Sequence, residues 1–332
     1  MIKSQHLTKV LSLLALMAFA LITGCKKDDE VVSPPAGFSL NTTSLSVAGA
    51  GSANVTVSGG TAPYTIQTGP DTSIATATIS GSTITVTGVS GGFTTIVVTD
   101  AASASLTLKI TVTGAITFDL FPIFSGRTFT YAGWAISTSG VPLPDPSRVY
   151  STTWTVGPAG PVPGSTVLVD TTTLQHPAAG VIGVKRNLLI IKNPANGDFI
   201  FFQTLGPFFR AFGMTRTDTV RAVLIAKPSS GIGGTWVALD STYTSPTGDV
   251  RLEINGEIIG GETITDSSTA QAKHNCIKFR TWRRITVGST VVVPNSTTSE
   301  LWLEKNIGPV QVHIAQDSEN LGHFRTLKQK NF

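Results

Sequence analysis

Glu253, Glu257 and Glu262 fall in one short segment, and paired carboxylates can carry out glycoside hydrolysis. That chemistry also needs one acid in an enclosed pocket that raises its pKa. Glu253 alternates with Val250, Leu252 and Ile254, which predicts a solvated strand face instead. Further on, CIKFRTWRR places Lys278, Arg280, Trp282 and Arg284 on one face of a regular strand. In SELWLE, Glu300, Trp302 and Glu304 share a face, with Leu301 and Leu303 turned the other way. Paired, the two strands set a cationic stripe with a Trp against an anionic stripe with a Trp. The simpler expectation is cross-strand ion pairing around a Trp–Trp contact, worth roughly 0.2–1 kcal/mol per pair. The functional alternative is a solvent-facing aromatic platform with charged rims, suited to a sugar or an anionic glycan. Trp282, Trp302, Arg280, Arg284, Glu300 and Glu304 are the candidate ligand-binding residues.

Other catalytic patterns are missing. The histidines (His6, His176, His274, His313 and His323) are scattered, and no His-x-x-x-His, Cys-x-x-Cys or EF-hand spacing occurs. His274 and Cys276 stand two apart, but no third metal ligand is suggested; the thiol reads as a small buried hydrophobe. It shares parity with the charged stripe, so either the strand bulges near 277 or the thiol lies at a buried end. No Gly-x-Ser-x-Gly elbow is present. SSGIGGTW (229–236) has Trp236 where a nucleotide loop needs its third glycine, and reads as a turn. The sequence implies no cofactor, metal site or catalytic residue.

The elements that must position these residues are strands. From Phe38 to Val112, apolar residues alternate with Ser, Thr or Lys at Leu45/Val47, Val55/Val57, Ile84/Val86 and Leu106 to Val112. Gly- and Ser-rich turns separate them, indicating a small sandwich of half-buried antiparallel strands over 38–113. Residues 115–332 hold all five Trp and longer strands. NLLIIKNPANGDFIFFQTL (187–205) predicts a hairpin about Asn196-Gly197, and DVRLEINGEII (249–259) another about Asn255-Gly256. The stretches 140–150 and 157–166 read as long loops flanking the strand around Trp154. No segment after residue 24 shows a convincing 3.6-residue period. The expected fold is all-β: a small sandwich, then a larger antiparallel sandwich or partly open barrel.

Composition agrees. Charged residues make up 13% of the 332-residue chain, with an apolar share of 41% that can build cores. The net charge of +4 falls to +2 without Lys3 and Lys9, too little for a nucleic-acid partner. The N-terminus carries those two lysines, then an apolar run from Val10 to Ile22 interrupted by Ser12. That length suits a signal h-region and falls short of the ~20 residues of a membrane span.

Leu-Ile-Thr-Gly-Cys (21–25) resembles a bacterial lipoprotein box, which implies removal of residues 1–24 and lipidation of Cys25. The resemblance implies an attachment to the membrane through that lipid and leaves Cys276 without an intramolecular disulfide partner. KKDDEVVSPPAG (26–37) then reads as a tether, extending roughly 40 Å at about 3.3–3.6 Å per residue. Lys26 is not the Asp that marks inner-membrane retention. Lys-Lys-Asp-Asp-Glu resembles the charged address of surface lipoproteins in Bacteroidota-type bacteria, implying a surface-exposed outer-membrane position. TSIATATISGSTITVTGVSGGFTTIVVTD (72–100) resembles bacterial immunoglobulin-like modules of the group 2 type, which act as spacers and adhesive stalks. Segments 119–133, 274–282 and 299–314 resemble β-rich C-terminal domains of surface lipoproteins without assigned function.

Three functions follow as expectations. The first is a non-catalytic, lipid-anchored protein whose β-rich head (115–332) binds a glycan or a protein. The second is a carrier in which Phe199, Phe201, Phe202, Phe208, Phe209 and Phe212 line a cavity for an apolar ligand. The third is a hydrolase whose site is assembled from distant residues.

Overall fold

The computed structural model describes residues 37–135, 149–176, 180–215, 219–265, 273–315 and 323–330. Cys25, the signal segment and the tether up to residue 36 lie outside these residues, as does most of the expected loop 140–150.

The first eight strands are β1 (Ser39–Leu40), β2 (Ser44–Ala48), β3 (Ser52–Ser58), β4 (Thr65–Thr68), β5 (Ala75–Ser80), β6 (Thr83–Gly88), β7 (Gly92–Thr99) and β8 (Ser105–Thr113). They form two four-stranded sheets, β1-β3-β6-β5 and β2-β8-β7-β4. Val55, Val57, Ile84, Val86, Leu108, Ile110 and Val112 all turn into one shared core, as period-two alternation requires. One pairing departs from expectation, because β2 runs parallel to β8. Alternation fixes which side of a strand is buried and says nothing about its direction.

The remaining strands are β9 (Thr128–Ala135), β10 (Val149–Ala159), β11 (Ser165–His176), β12 (Gly180–Lys192), β13 (Phe199–Thr204), β14 (Val220–Ala226), β15 (Thr235–Ser245), β16 (Gly248–Thr265), β17 (Lys273–Val287), β18 (Thr290–Glu304), β19 (Gly308–Ile314) and β20 (His323–Lys330). They make one antiparallel sheet in the order β14-β13-β12-β11-β10-β9-β20-β19-β18-β17-β16-β15. The sheet curls until its two edge strands lie side by side, a nearly closed barrel around Phe129, Tyr131, Leu168, Ile190, Ile258, Phe279 and Val312.

At the seam, Trp236 on β15 donates its indole N–H to the Leu224 carbonyl of β14 at 2.7 Å, and Arg221 Nε reaches Tyr243 Oη at 3.3 Å. A single helical turn and a half, α1 (Gly206–Ala211), brings Phe209 edge-on to Tyr243, 4.9 Å between centroids. It lies in a segment too short for a 3.6-residue period to show.

Several local expectations are corrected. Residues 249–259 form no hairpin: Asn255 and Gly256 lie inside the continuous strand β16, opposite Trp282 and Thr281. Gly256 is there for space, since a Cβ on it would overlap the indole of Trp236. The expected alternation holds from Val250 to Ile258, then a bulge at Ile259 shifts the parity, so that Gly261 turns toward the core and Ile264 away from it. The 187–205 hairpin is present, but its connection runs over Asn193 to Asp198, with positive φ at Gly197 alone. Gly157 to Ala159 belong to β10, so the expected loop 157–166 shrinks to a short turn before β11. SSGIGGTW is a turn, as read, leading into β15.

Sandwich and barrel are joined by side chains from both. Lys305, after β18, donates to Asp71 Oδ1 and Oδ2 at 3.0 and 2.9 Å and to Ser73 Oγ at 2.6 Å. Phe93 of β7 packs into the barrel's cluster over Gly261, where a side chain would overlap its ring. Phe118, in the connecting segment, touches both cores.

Candidate functional site

The charged residues singled out in the sequence do converge on one face of β16–β19, opposite the main core. β17 and β18 pair in the register Cys276↔Glu304, Lys278↔Trp302, Arg280↔Glu300, while Leu301, Leu303, Ile277 and Phe279 point inward. Opposed charges across neighbouring strands attract, and here Lys278, Arg280, Glu300 and Glu304 each find a partner. Arg280 pairs with Glu257 on β16. Glu300 lies 2.9 Å from Lys278 Nζ and 2.9 Å from His313 Nδ1 on β19. Glu304 lies 2.6 Å from His274 Nδ1.

Trp302 is no platform. It is buried among Ile264, Cys276 and Val310, donates its N–H to Glu262 Oε2 at 2.7 Å, and carries Lys278 Nζ 4.4 Å above its ring. The expected Trp–Trp contact does not form, because Lys278 stands opposite Trp302 and Trp282 stands opposite Thr297. Trp282 is half-buried and Arg284 is exposed, paired in register with Glu253. The strand does not bulge at 277. Cys276 shares the face of Lys278 and is covered by the Trp302 cluster, which resolves its parity.

The titratable groups of this face are set against reactivity. Hydrogen bonding to His313, reinforced by Lys278, overcomes burial and brings the Glu300 carboxyl down to about 2. Burial, helped by the Glu304 and Glu262 charges, pushes the Cys276 thiol far above its ordinary value. Glu253 lies 3.2 Å from Arg251, so Glu253, Glu257 and Glu262 each answer a different donor along the strand. Among the described residues no three His, Cys, Asp or Glu side chains gather as a metal-ligand set.

Five of the six phenylalanines of the carrier reading (Phe199, Phe201, Phe208, Phe209 and Phe212) pack into the barrel's cluster, and Phe202 stands outside it. Phe199 meets Phe121 at 4.3 Å and Phe201 at 5.4 Å, Phe208 meets Phe209 at 5.4 Å, and none borders the two clefts described next.

Those clefts are features that sequence reasoning missed. One, of about 270 Å³, opens where sandwich meets barrel, between Asp71, Ile74, Phe93, Thr94 and Phe118 on one side and Asn275, Ile277, Glu304, Lys305 and Asn306 on the other. The other, of about 580 Å³, is a shallower groove along Ala115 to Ile123, bordered by Lys192 and the 194–197 loop. Glu304 alone of the predicted residues lines the junction cleft. Within it, burial raises Asp71, but hydrogen bonds from Lys305 and Ser73 outweigh burial and hold the carboxyl below its ordinary value. The only sequence hint is the polar run Glu304-Lys305-Asn306 at a strand end, where Asn306 adopts a positive φ of 59°.

No protein-family model and no curated protein matches this chain. Among solved structures it is similar to a provisionally assigned lipoprotein from Parabacteroides distasonis, with 13% identity over 65% of this chain and 99% of that one, TM-score 0.35. It is also similar to a provisionally assigned exported protein with a YmcC-like fold from Bacteroides fragilis, with 15% identity over 65% of this chain and all of that one, TM-score 0.35. Likeness at this level transfers no residue role.

Proposed function

We propose that the protein is a lipid-anchored, non-catalytic component of the cell envelope whose barrel head binds a glycan. The observation that carries the non-catalytic part is the state of the acids on β16–β18. A general acid needs a carboxyl with a raised pKa in a pocket. Glu300 is instead depressed to about 2 on a sheet face, and its neighbours Glu257 and Glu304 are tied to Arg280 and His274. The envelope part rests on the resemblance of Leu-Ile-Thr-Gly-Cys to a lipoprotein box, and the surface-facing part on the charged run after Cys25. The strands of 38–113 serve in this reading as an immunoglobulin-like spacer.

The test is a glycan array probed with the full-length protein in detergent micelles, with mass spectrometry of the retained glycans. Retention with unchanged glycan mass supports the reading. Appearance of cleaved products, or retention of nothing, overturns it.

A further inference from the structure

We infer that the cleft between sandwich and barrel is the binding site, and that its ligand is one neutral, hydroxyl-rich ring of the pyranose kind. This rests on the reading of the barrel as a glycan-binding head. Three observations converge on it.

The first is size. At about 270 Å³ the cleft sits near the lower bound of roughly 300 Å³ for small-molecule sites, so it takes one ring rather than a run of rings. The second is the mixture of groups. Phe118 offers partly exposed apolar surface over the buried Ile74 and Ile277, while Asn275 and Asn306 offer amides that both donate and accept, as sugar hydroxyls do. The Asn275 carbonyl already accepts from Thr263 Oγ1 at 3.0 Å, which orients the amide and leaves its NH₂ as the donor for a ligand.

The third is charge. The lining holds two carboxylates, Asp71 and Glu304, against one cation, Lys305. Lys305 is committed to Asp71 and Ser73, and Glu304 to His274, so no cation there is left to neutralise an anionic sugar. A uronate or sialic acid entering this cleft meets two carboxylates and no uncommitted cation in a partly desolvated space, which costs affinity. A neutral ring meets no such cost. The anionic-glycan alternative suggested by the Arg280 and Arg284 stripe is therefore the weaker one.

The experiment is saturation-transfer NMR and calorimetry on the full-length protein in detergent micelles. The probes are methyl glycosides of neutral hexoses and the matching methyl uronates. The variants are Asn275→Ala and Asn306→Gly, the latter keeping a residue at ease with positive φ so that a folded variant is assured. The expected result is binding of a neutral methyl glycoside, weakened about tenfold or more by either variant, as loss of a charge-free but buried hydrogen bond or two implies. The uronates should bind at least about tenfold more weakly than their neutral counterparts. Neutral-sugar binding unchanged in both variants would overturn the cleft while leaving the glycan-binding reading intact. Equal binding of uronates would overturn the charge argument. If no methyl glycoside binds while the array is positive, the cleft assignment alone fails; if the array is also blank, both fail.

Discussion

Glu300 sits between Lys278 on β17 and His313 on β19, both at 2.9 Å. Its folded pKa of about 2 lies below the ordinary 4.5, so its stabilisation is complete above pH 4.5 and is lost as pH falls toward 2. A shift of that size corresponds to about 3 kcal/mol. Urea unfolding of the wild type should therefore show stability declining across that window, and Glu300→Gln should be less stable at neutral pH with a flatter profile below pH 4.5. A variant as acid-sensitive as the wild type would contradict this assignment. Residue types and spacing made this face legible in part: alternation groups Lys278 with Arg280 and Glu300 with Trp302 and Glu304, and the pairing of β17 with β18 brings the two groups to one side. The partners were not legible. His313 and Glu262 join the network from β19 and β16, and strand order across a sheet is set by packing that no local pattern records.

At the scale of the element, β16 shows why period-two reasoning succeeds and then stops. Val250, Leu252 and Ile254 turn inward as read, but Asn-Gly, a hairpin signal elsewhere, lies here in mid-strand. Gly256 admits the Trp236 indole, whose N–H pins the open seam to Leu224. Gly256→Ala should force that indole aside and cost about 1–3 kcal/mol, the range for overpacking. Hydrogen exchange should show the loss concentrated in β14 and β15, the two strands without a ladder between them. Uniform loss across the barrel, or none, would argue against the seam as described. The bulge at Ile259 could not be anticipated, because it exists to reorient Gly261 and Ile264 toward neighbours far away in sequence.

For the whole molecule, the all-β class and the division of the strands into a small sandwich and a larger curled sheet follow from Gly/Ser turn spacing and strand length. The junction was hidden. Asp71 and Lys305 are separated by 234 positions, and the cleft they border exists only once both bodies are built. We propose that a lipid on Cys25 displays this assembly at the envelope, with residues 26–37 as the tether. Metabolic labelling with an alkyne fatty acid, followed by membrane fractionation, addresses that claim at its root. The wild-type protein should carry the label and sediment with membranes, and Cys25→Ala should carry none and lose its membrane attachment. An unlabelled wild type, or a Cys25→Ala protein that keeps both label and membrane attachment, would contradict it.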